Sequence, residues 1–248
     1  MSTSTPSVDR RGGLLNVADI VIAPNAAFDR LRIVPAWLWA FIVATLLAVV
    51  GSLLAQPALL HAFETSMPAQ LAADPNMAKL PADQQQKQIA MIMGFSRTMF
   101  QLGWLIVPFA ILIASLLQAL ALTVVNAIGK GQGSFAKFFA LAVTVSVVGT
   151  GLYYLVFGLV AVLRGASSFE TMSAMQSLVP GFALLVPGAH GATAGFLGAF
   201  NVFYLWATAL LALGTVRIAR ISPGLAWGAP IVLLLLTACF SAFGQRNG

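Results

Sequence analysis

Charge is scarce in this chain, and cysteine and histidine are scarcer: 8% of the 248 residues are Asp, Glu, Lys or Arg, with one Cys and two His. Ordinary soluble domains carry about 25% charged and about 45 to 50% apolar residues, whereas apolar residues make up 59% here. A soluble fold could not hide that much apolar surface. The single thiol, Cys239, excludes an intrachain disulfide framework; inside the last apolar run it reads as a small buried or lipid-facing side chain. His61 and His190 have no Cys or acidic residue at ligand spacing, so no zinc site is expected.

The formal charge of +6 comes from 13 Lys and Arg against 7 Asp and Glu, scattered along the chain. Nucleic-acid binding needs a concentrated basic face, which is missing. Anionic phospholipid headgroups are the simpler counterpart for sparse cations near helix ends. The loop Gly129-Lys130-Gly131-Gln132-Gly133-Ser134 has the wrong order for a phosphate-cradling P-loop and reads as a tight cytoplasmic turn. No Ser, Cys or Lys in the apolar segments has a base partner to activate it. The expectation is therefore no catalytic residue, no cofactor, no metal and no enzyme activity.

What is abundant is long apolar runs. A bilayer core about 30 Å thick needs about 20 apolar residues in a helix, and five stretches qualify: Ala36 to Gln56, Phe100 to Ala127, Phe138 to Leu163, Phe196 to Ile218 and Leu225 to Phe243. The expected fold is an all-α polytopic membrane helix bundle with about five transmembrane helices and an N-terminal interfacial amphipathic helix over 13–35. Residues 1–12 are expected as a disordered tail, and 13–248 as one membrane domain. The first run is too long for a signal-peptide core and should remain as an anchor. Arg10-Arg11 is not a twin-arginine export signal, because polar and proline-containing sequence intervenes before the apolar run.

None of the five runs has a charged residue or His in its interior. A charge at the bilayer centre costs at least about 2.5 kcal/mol and marks ion or proton pathways, so its absence argues against an ion-coupled transporter. Orientation follows from the excess of Lys and Arg on the cytoplasmic side. With the N-terminus inside, the inner segments hold eight (Arg10, Arg11, Arg30, Arg32, Lys130, Lys137, Arg217, Arg220) and the outer segments five (Lys79, Lys87, Arg97, Arg164, Arg246). The C-terminus then lies outside.

In the head, Leu14, Val17, Val21, Phe28 and Leu31 recur at helical spacing opposite Asp19, Asp29, Arg30 and Arg32. Pro24 is expected to open a second short helix and Pro35 to stop it. The pattern fits a helix lying on the cytoplasmic leaflet or one packed against the bundle. His61 to Ser96 is expected outside, with Pro68, Pro75 and Pro81, and with a helix from Ala82 running into the second span. Between Gly165 and Gly195, the helical spacing of Phe169, Met172, Met175, Val179, Phe182 and Val186 predicts a segment in the outer interface or re-entering the membrane, broken by Pro180 and Pro187.

Uncharged polar residues inside the spans form two stripes. Gln101, Ser115 and Asn126 share one face of the second span with Pro108; Asn201, Thr208 and Thr215 repeat every seven residues in the fourth. An unsatisfied amide in hydrocarbon is costly, so these stripes face protein or water: helix-to-helix hydrogen bonding or a ligand cleft. Gly188, Gly191, Gly195 and Gly198 are expected on one face, and Gly149, Gly151 and Gly158 punctuate the third span, permitting close helix approach. Pro108 and Pro230 are expected to kink their helices.

The arrangement resembles the Yip1-domain family of small five-span membrane proteins. The likeness lies in Pro24 with Phe28, Leu31 and Pro35-Ala36-Trp37, the Gly133-Ser134-Phe135 turn, and Val202-Phe203-Tyr204-Leu205-Trp206 with Gly214. It covers nearly the whole chain after Gly13 and implies a cytosolic N-terminus, five spans and an outside C-terminus. Eukaryotic relatives are associated with Rab GTPases and carry a longer N-terminal region with an Asp-Leu-Tyr-Gly-Pro motif. Neither is present here, which argues against a Rab partner and makes the chain similar to bacterial members, some of which accompany ABC-type exporters. The expected function is a non-enzymatic scaffold or accessory subunit in the inner (plasma) membrane, in contact with phospholipid and with a membrane-protein partner such as an ABC exporter or a second copy of itself. The alternative is a channel or permease for a neutral or lipidic solute.

Overall fold

A bilayer supplies no hydrogen bonds to the backbone, so a chain that crosses it must pair its own amides within helices. In the computed structural model, which describes residues 10–72, 74, 76–171, 174–175, 178–186, 188–189 and 191–244, this is the outcome. Five helical segments are long and apolar enough to cross a membrane, and no strand occurs among the described residues. The fold is an all-α polytopic helix bundle.

The head is a helix pair, α1 (Arg10–Ile22) and α2 (Pro24–Ile33). Pro24 stands at the first helical position, where its missing N–H has no intrahelical acceptor anyway. Residues 1–9 of the expected tail lie outside the described residues, and 10–12 belong to α1. The expected division between an apolar and a charged face is corrected in α1. Leu14 is exposed, whereas Asn16 is 1% exposed and buried with Ile20. The turn at Ala23 brings Arg30 back beside α1, where Nε donates to Asn16 Oδ1 at 2.7 Å and Nη2 donates to Asp19 Oδ2. A polar group that finds such partners can turn inward, which frees Leu14 and Leu15 to face outward.

The first crossing, α3, runs from Leu38 to Ala72, past its expected end at Gln56 and through Pro57 and Pro68. A proline removes one helical hydrogen bond, but lateral contacts hold this stretch. Gln56 Nε2 donates to Phe100 O at 3.3 Å, Phe63 and Phe100 rings meet at 5.1 Å, and Glu64 pairs with Arg97 at 3.2 Å. The second crossing consists of α4 (Ala82–Leu102), a 3-10 turn over Gly103–Ile106, and α5 (Val107–Ile128). Pro108, expected to kink its helix, follows this turn and sits in the first turn of α5. Pro75 lies outside the described residues.

The third crossing, α6 (Phe135–Arg164), contains a π-helical turn at Val147–Leu152. The segment after it, expected in the outer interface or re-entering the membrane and broken by Pro180 and Pro187, is helical at 174–175 among its described residues. Short 3-10 turns occur at Ala166–Ser168 and Phe182–Leu185. Phe169, Met175 and Leu178 pack on Ala55, Ala58, Ala62 and Ala161, while Phe182 and Val186 are exposed. Met172, Pro187 and His190 lie outside the described residues.

The expected four-glycine face is also divided. Gly188 has φ +83° and Gly191 +52°, so Gly188 precedes a short helix, α7 (Gly191–Gly198), which lies against the last crossing. The fourth crossing, α8, starts at Val202 and ends at Ala219, not at Phe196. The chain between α7 and α8 is held extended: Val202 N donates to Pro180 O at 3.1 Å, Phe182 N donates to Phe200 O at 3.2 Å, and Gly181 bridges Asn201. The fifth crossing is α9 (Pro223–Gly244), with Cys239 exposed on it. Arg246 lies outside the described residues.

The crossings are not equivalent. The most apolar windows of α6 and α8 are 44% buried and that of α9 is 17% buried, so α6 and α8 form the centre. Against α6, α3 presents a ridge of small residues, Ala40, Ala44, Ala48, Gly51, Ala55, Ala58 and Ala62, all buried. Its tightest point is Gly51 opposite Gly158. A Cβ at Gly51 would stand 2.1 Å from Tyr154 O, and one at Gly158 would stand 2.2 Å from Gly51 O. Only glycine permits this backbone-on-backbone contact.

Candidate functional site

Several uncharged polar side chains of the crossings line a cavity of about 210 Å³ between α5, α6, α8 and α9. Two backbone irregularities shape it. Gly149 and Thr150 enter from the π turn of α6, a distortion that recurs at functional sites. Pro230 enters from α9, where it lacks the N–H that would close a helical hydrogen bond. Gln118, Thr150 and Thr237 all stand well inside their crossings, so the cavity lies away from both membrane faces.

No charged residue lines the cavity. Three hydroxyls turn back to their own helices: Thr208 Oγ1 donates to Tyr204 O at 2.7 Å, Ser146 Oγ to Val143 O at 2.7 Å, and Thr237 Oγ1 to Leu233 O at 2.9 Å. Ser115, Gln118, Thr150 and Tyr204 make no side-chain hydrogen bond among the described residues. Their donors and acceptors therefore remain available to an occupant. The exposed lining residues are Ala114 and Thr237, so the mouth lies between α5 and α9 and faces the surrounding membrane.

Of the two expected stripes, Ser115 and Thr208 reach this cavity. Gln101 does not: it is exposed, on α4, where no residue on any face is buried. Asn126 instead fastens the loop before α6, with Gly133 N donating to its Oδ1 at 3.0 Å and its Nδ2 donating to Gly133 O at 3.3 Å. Asn201 is the N-cap of α8, its Oδ1 accepting from Phe203 N at 3.1 Å and Tyr204 N at 3.0 Å. Thr215 is buried and donates to Leu211 O at 2.7 Å. Gln118, Ser146, Thr150 and Thr237 are cavity residues that sequence reasoning missed. The legible signal was Gln118, an amide in the middle of a charge-free apolar helix.

The remaining signature positions are structural. Phe28 meets Leu141 across Gly214, where a Cβ would stand 2.5 Å from Leu141 and 3.0 Å from the Phe28 ring. Beside them Asp29 accepts two hydrogen bonds from Arg217, both at 3.0 Å. That guanidinium holds the Asp29 carboxyl below its ordinary range. The head is thus docked on α8. Pro35 lies in the irregular link between α2 and α3. Gly133 leaves room for the Phe138 ring, which a Cβ there would meet at 2.2 Å. Phe135 opens α6 and stacks on Phe139, and Trp206 packs partly buried against the core. Among the described residues no three His, Cys, Asp or Glu gather as a metal site.

One further surface stands out. Gln132 N donates to Ala219 O at 2.8 Å and Trp37 meets Phe139 at 5.4 Å, which puts the head-side ends of the crossings at one level. The 47 residues from Ala82 to Ile128 would extend about 70 Å as helix against a core of about 30 Å. The excess emerges at the other side as a hairpin of α3 and α4. In α4 no residue is buried. Ile92, Phe95, Met99 and Leu102, at three- and four-residue spacing, are exposed.

No family model matches the chain, and no solved structure matches it. Among curated proteins it is similar to "Membrane protein YknW" of Bacillus subtilis (strain 168), with 26% identity over 225 residues that cover 90% of this chain and 87% of that protein. The likeness extends over most of both chains. Together with the five apolar helices it makes this chain an integral membrane protein.

Proposed function

We propose that the chain is a non-catalytic scaffold or accessory subunit of a bacterial plasma membrane, built on the Yip1-domain plan with its N-terminus in the cytoplasm and C-terminus outside. Its work is to hold a second membrane protein, an ABC-type exporter being the leading candidate, or a second copy of itself. A Rab GTPase is not among the proposed partners.

One observation carries this reading: the projecting α3–α4 hairpin and its uncovered row of Ile92, Phe95, Met99 and Leu102. Large apolar side chains in a row on a helix that nothing in the chain covers mark a contact surface. The heptad-like spacing suits a partner helix laid alongside. The permease reading draws on the intramembrane cavity instead. A permease needs a route to both faces, and the cavity-lining residues are confined to the interior of the crossings.

The test is affinity purification in mild detergent. The parent protein should bring down a defined membrane partner in constant ratio, or itself as a defined oligomer. The double substitution Phe95→Glu and Met99→Glu should abolish that recovery while leaving membrane insertion intact. Repeated recovery of the parent protein alone, with normal export in a deletion strain, would overturn the proposal.

A further inference from the structure

The cavity between α5, α6, α8 and α9 has no part in a scaffold that works through its outer hairpin, and a ligand held there is independent of that reading. Its chemistry is specific. It offers only uncharged groups: the Gln118 amide, with two donors and an acceptor, and the Ser115, Thr150 and Tyr204 hydroxyls, each able to donate and accept. Its mouth, between Ala114 and Thr237, faces lipid. A ligand must therefore arrive dissolved in the bilayer.

Neither a phosphate nor an ammonium headgroup suits the site, since a charge brought there would have no partner and its burial would be prohibitive. A water molecule occupies about 30 Å³ of liquid, so about 210 Å³ holds a small polar headgroup and not a whole lipid. We infer that the cavity binds a neutral glycerolipid of the diacylglycerol class. Its free hydroxyl and ester carbonyls occupy the Gln118, Ser115, Thr150 and Tyr204 groups, and its acyl chains pass out between α5 and α9.

The experiment uses the full chain in nanodiscs of phosphatidylcholine doped with a photoactivatable diacylglycerol that carries a diazirine near the glycerol. Irradiation followed by peptide mapping should place label on 111–118 and 230–237. Unlabelled dioleoylglycerol should suppress that label, and added phosphatidic acid should not. Ala114→Phe, which fills the mouth, and Gln118→Leu with Thr150→Val, which removes hydrogen-bonding groups, should each lower cavity labelling about tenfold. Labelling of the lipid-facing peptide of α3 that carries Leu46, Val50 and Leu53 and the helix content by circular dichroism should remain unchanged. Label spread evenly over the lipid-facing helices, or unmoved by both variants, or competed equally by phosphatidic acid, would overturn the assignment and leave a cavity that holds water only.

Discussion

Replacing Gly51 with alanine tests the central seam of the bundle. The added Cβ would lie 2.1 Å from Tyr154 O, against 3.4 Å for the lower edge of ordinary contact. The opposing group is backbone and cannot swing away, so α3 and α6 must part by roughly 1.3 Å. A radial gap of about 0.5 to 1 Å already forfeits a quarter to a half of the dispersion attraction at each contact. The buried ridge of Ala44, Ala48, Ala55 and Ala58 would feel it together. Overpacking a closed core costs about 1 to 3 kcal/mol, and this site should fall at the upper end, near 3 kcal/mol. The assay is reversible unfolding in mixed micelles by titration with a denaturing detergent. Gly94→Ala, with no atom within 4 Å of its Cβ, is the control and should be neutral or stabilising by up to about 1 kcal/mol through helix propensity. Gly158→Ala should resemble Gly51→Ala, and the pair should cost less than the sum because one separation relieves both clashes. A Gly51→Ala protein within about 0.5 kcal/mol of the parent would refute the reasoning.

Two further outcomes rest on named contacts. Asn201→Ala removes the side-chain acceptor for Phe203 N and Tyr204 N and should cost about 1 kcal/mol, with faster hydrogen exchange confined to the first turn of α8. Docking of α2 should depend on pH. The folded Asp29 carboxyl is held below the ordinary 3.8 by the Arg217 hydrogen bond, so its stabilisation is complete above that value and is lost as pH falls through the lowered one. Exchange protection over residues 24–33 should fall in that acid window in the parent, and Asp29→Asn should remove the pH dependence.

Crossings, and the helix pair at the head, are readable from the chain because they rest on local quantities. Hydropathy over about 20 residues reports the cost of leaving backbone amides unpaired in hydrocarbon, and Pro24 marks a helix start through its own fixed φ. The stripes show where that reading ends. Helical spacing puts Gln101 on the face of Ser115, but Gln101 stands on α4, where no residue is buried whichever face it occupies. Asn126 and Asn201 are buried amides as expected, but each is satisfied by the backbone at one end of a helix.

Five membrane-crossing helices and the absence of charge from the apolar runs within them were thus settled by composition and run length, since each run meets the same solvent whatever its neighbours do. Which faces touch, that Gly51 lies on Gly158, that Arg30 holds Asn16 inward, and that Ser115, Gln118, Thr150 and Tyr204 border one cavity depended on assembly. Helices in lipid gain little from the hydrophobic effect when they associate. Their pairing is set by the fit of small residues and by polar partners from distant parts of the chain, and neither is visible within the span of a single helix.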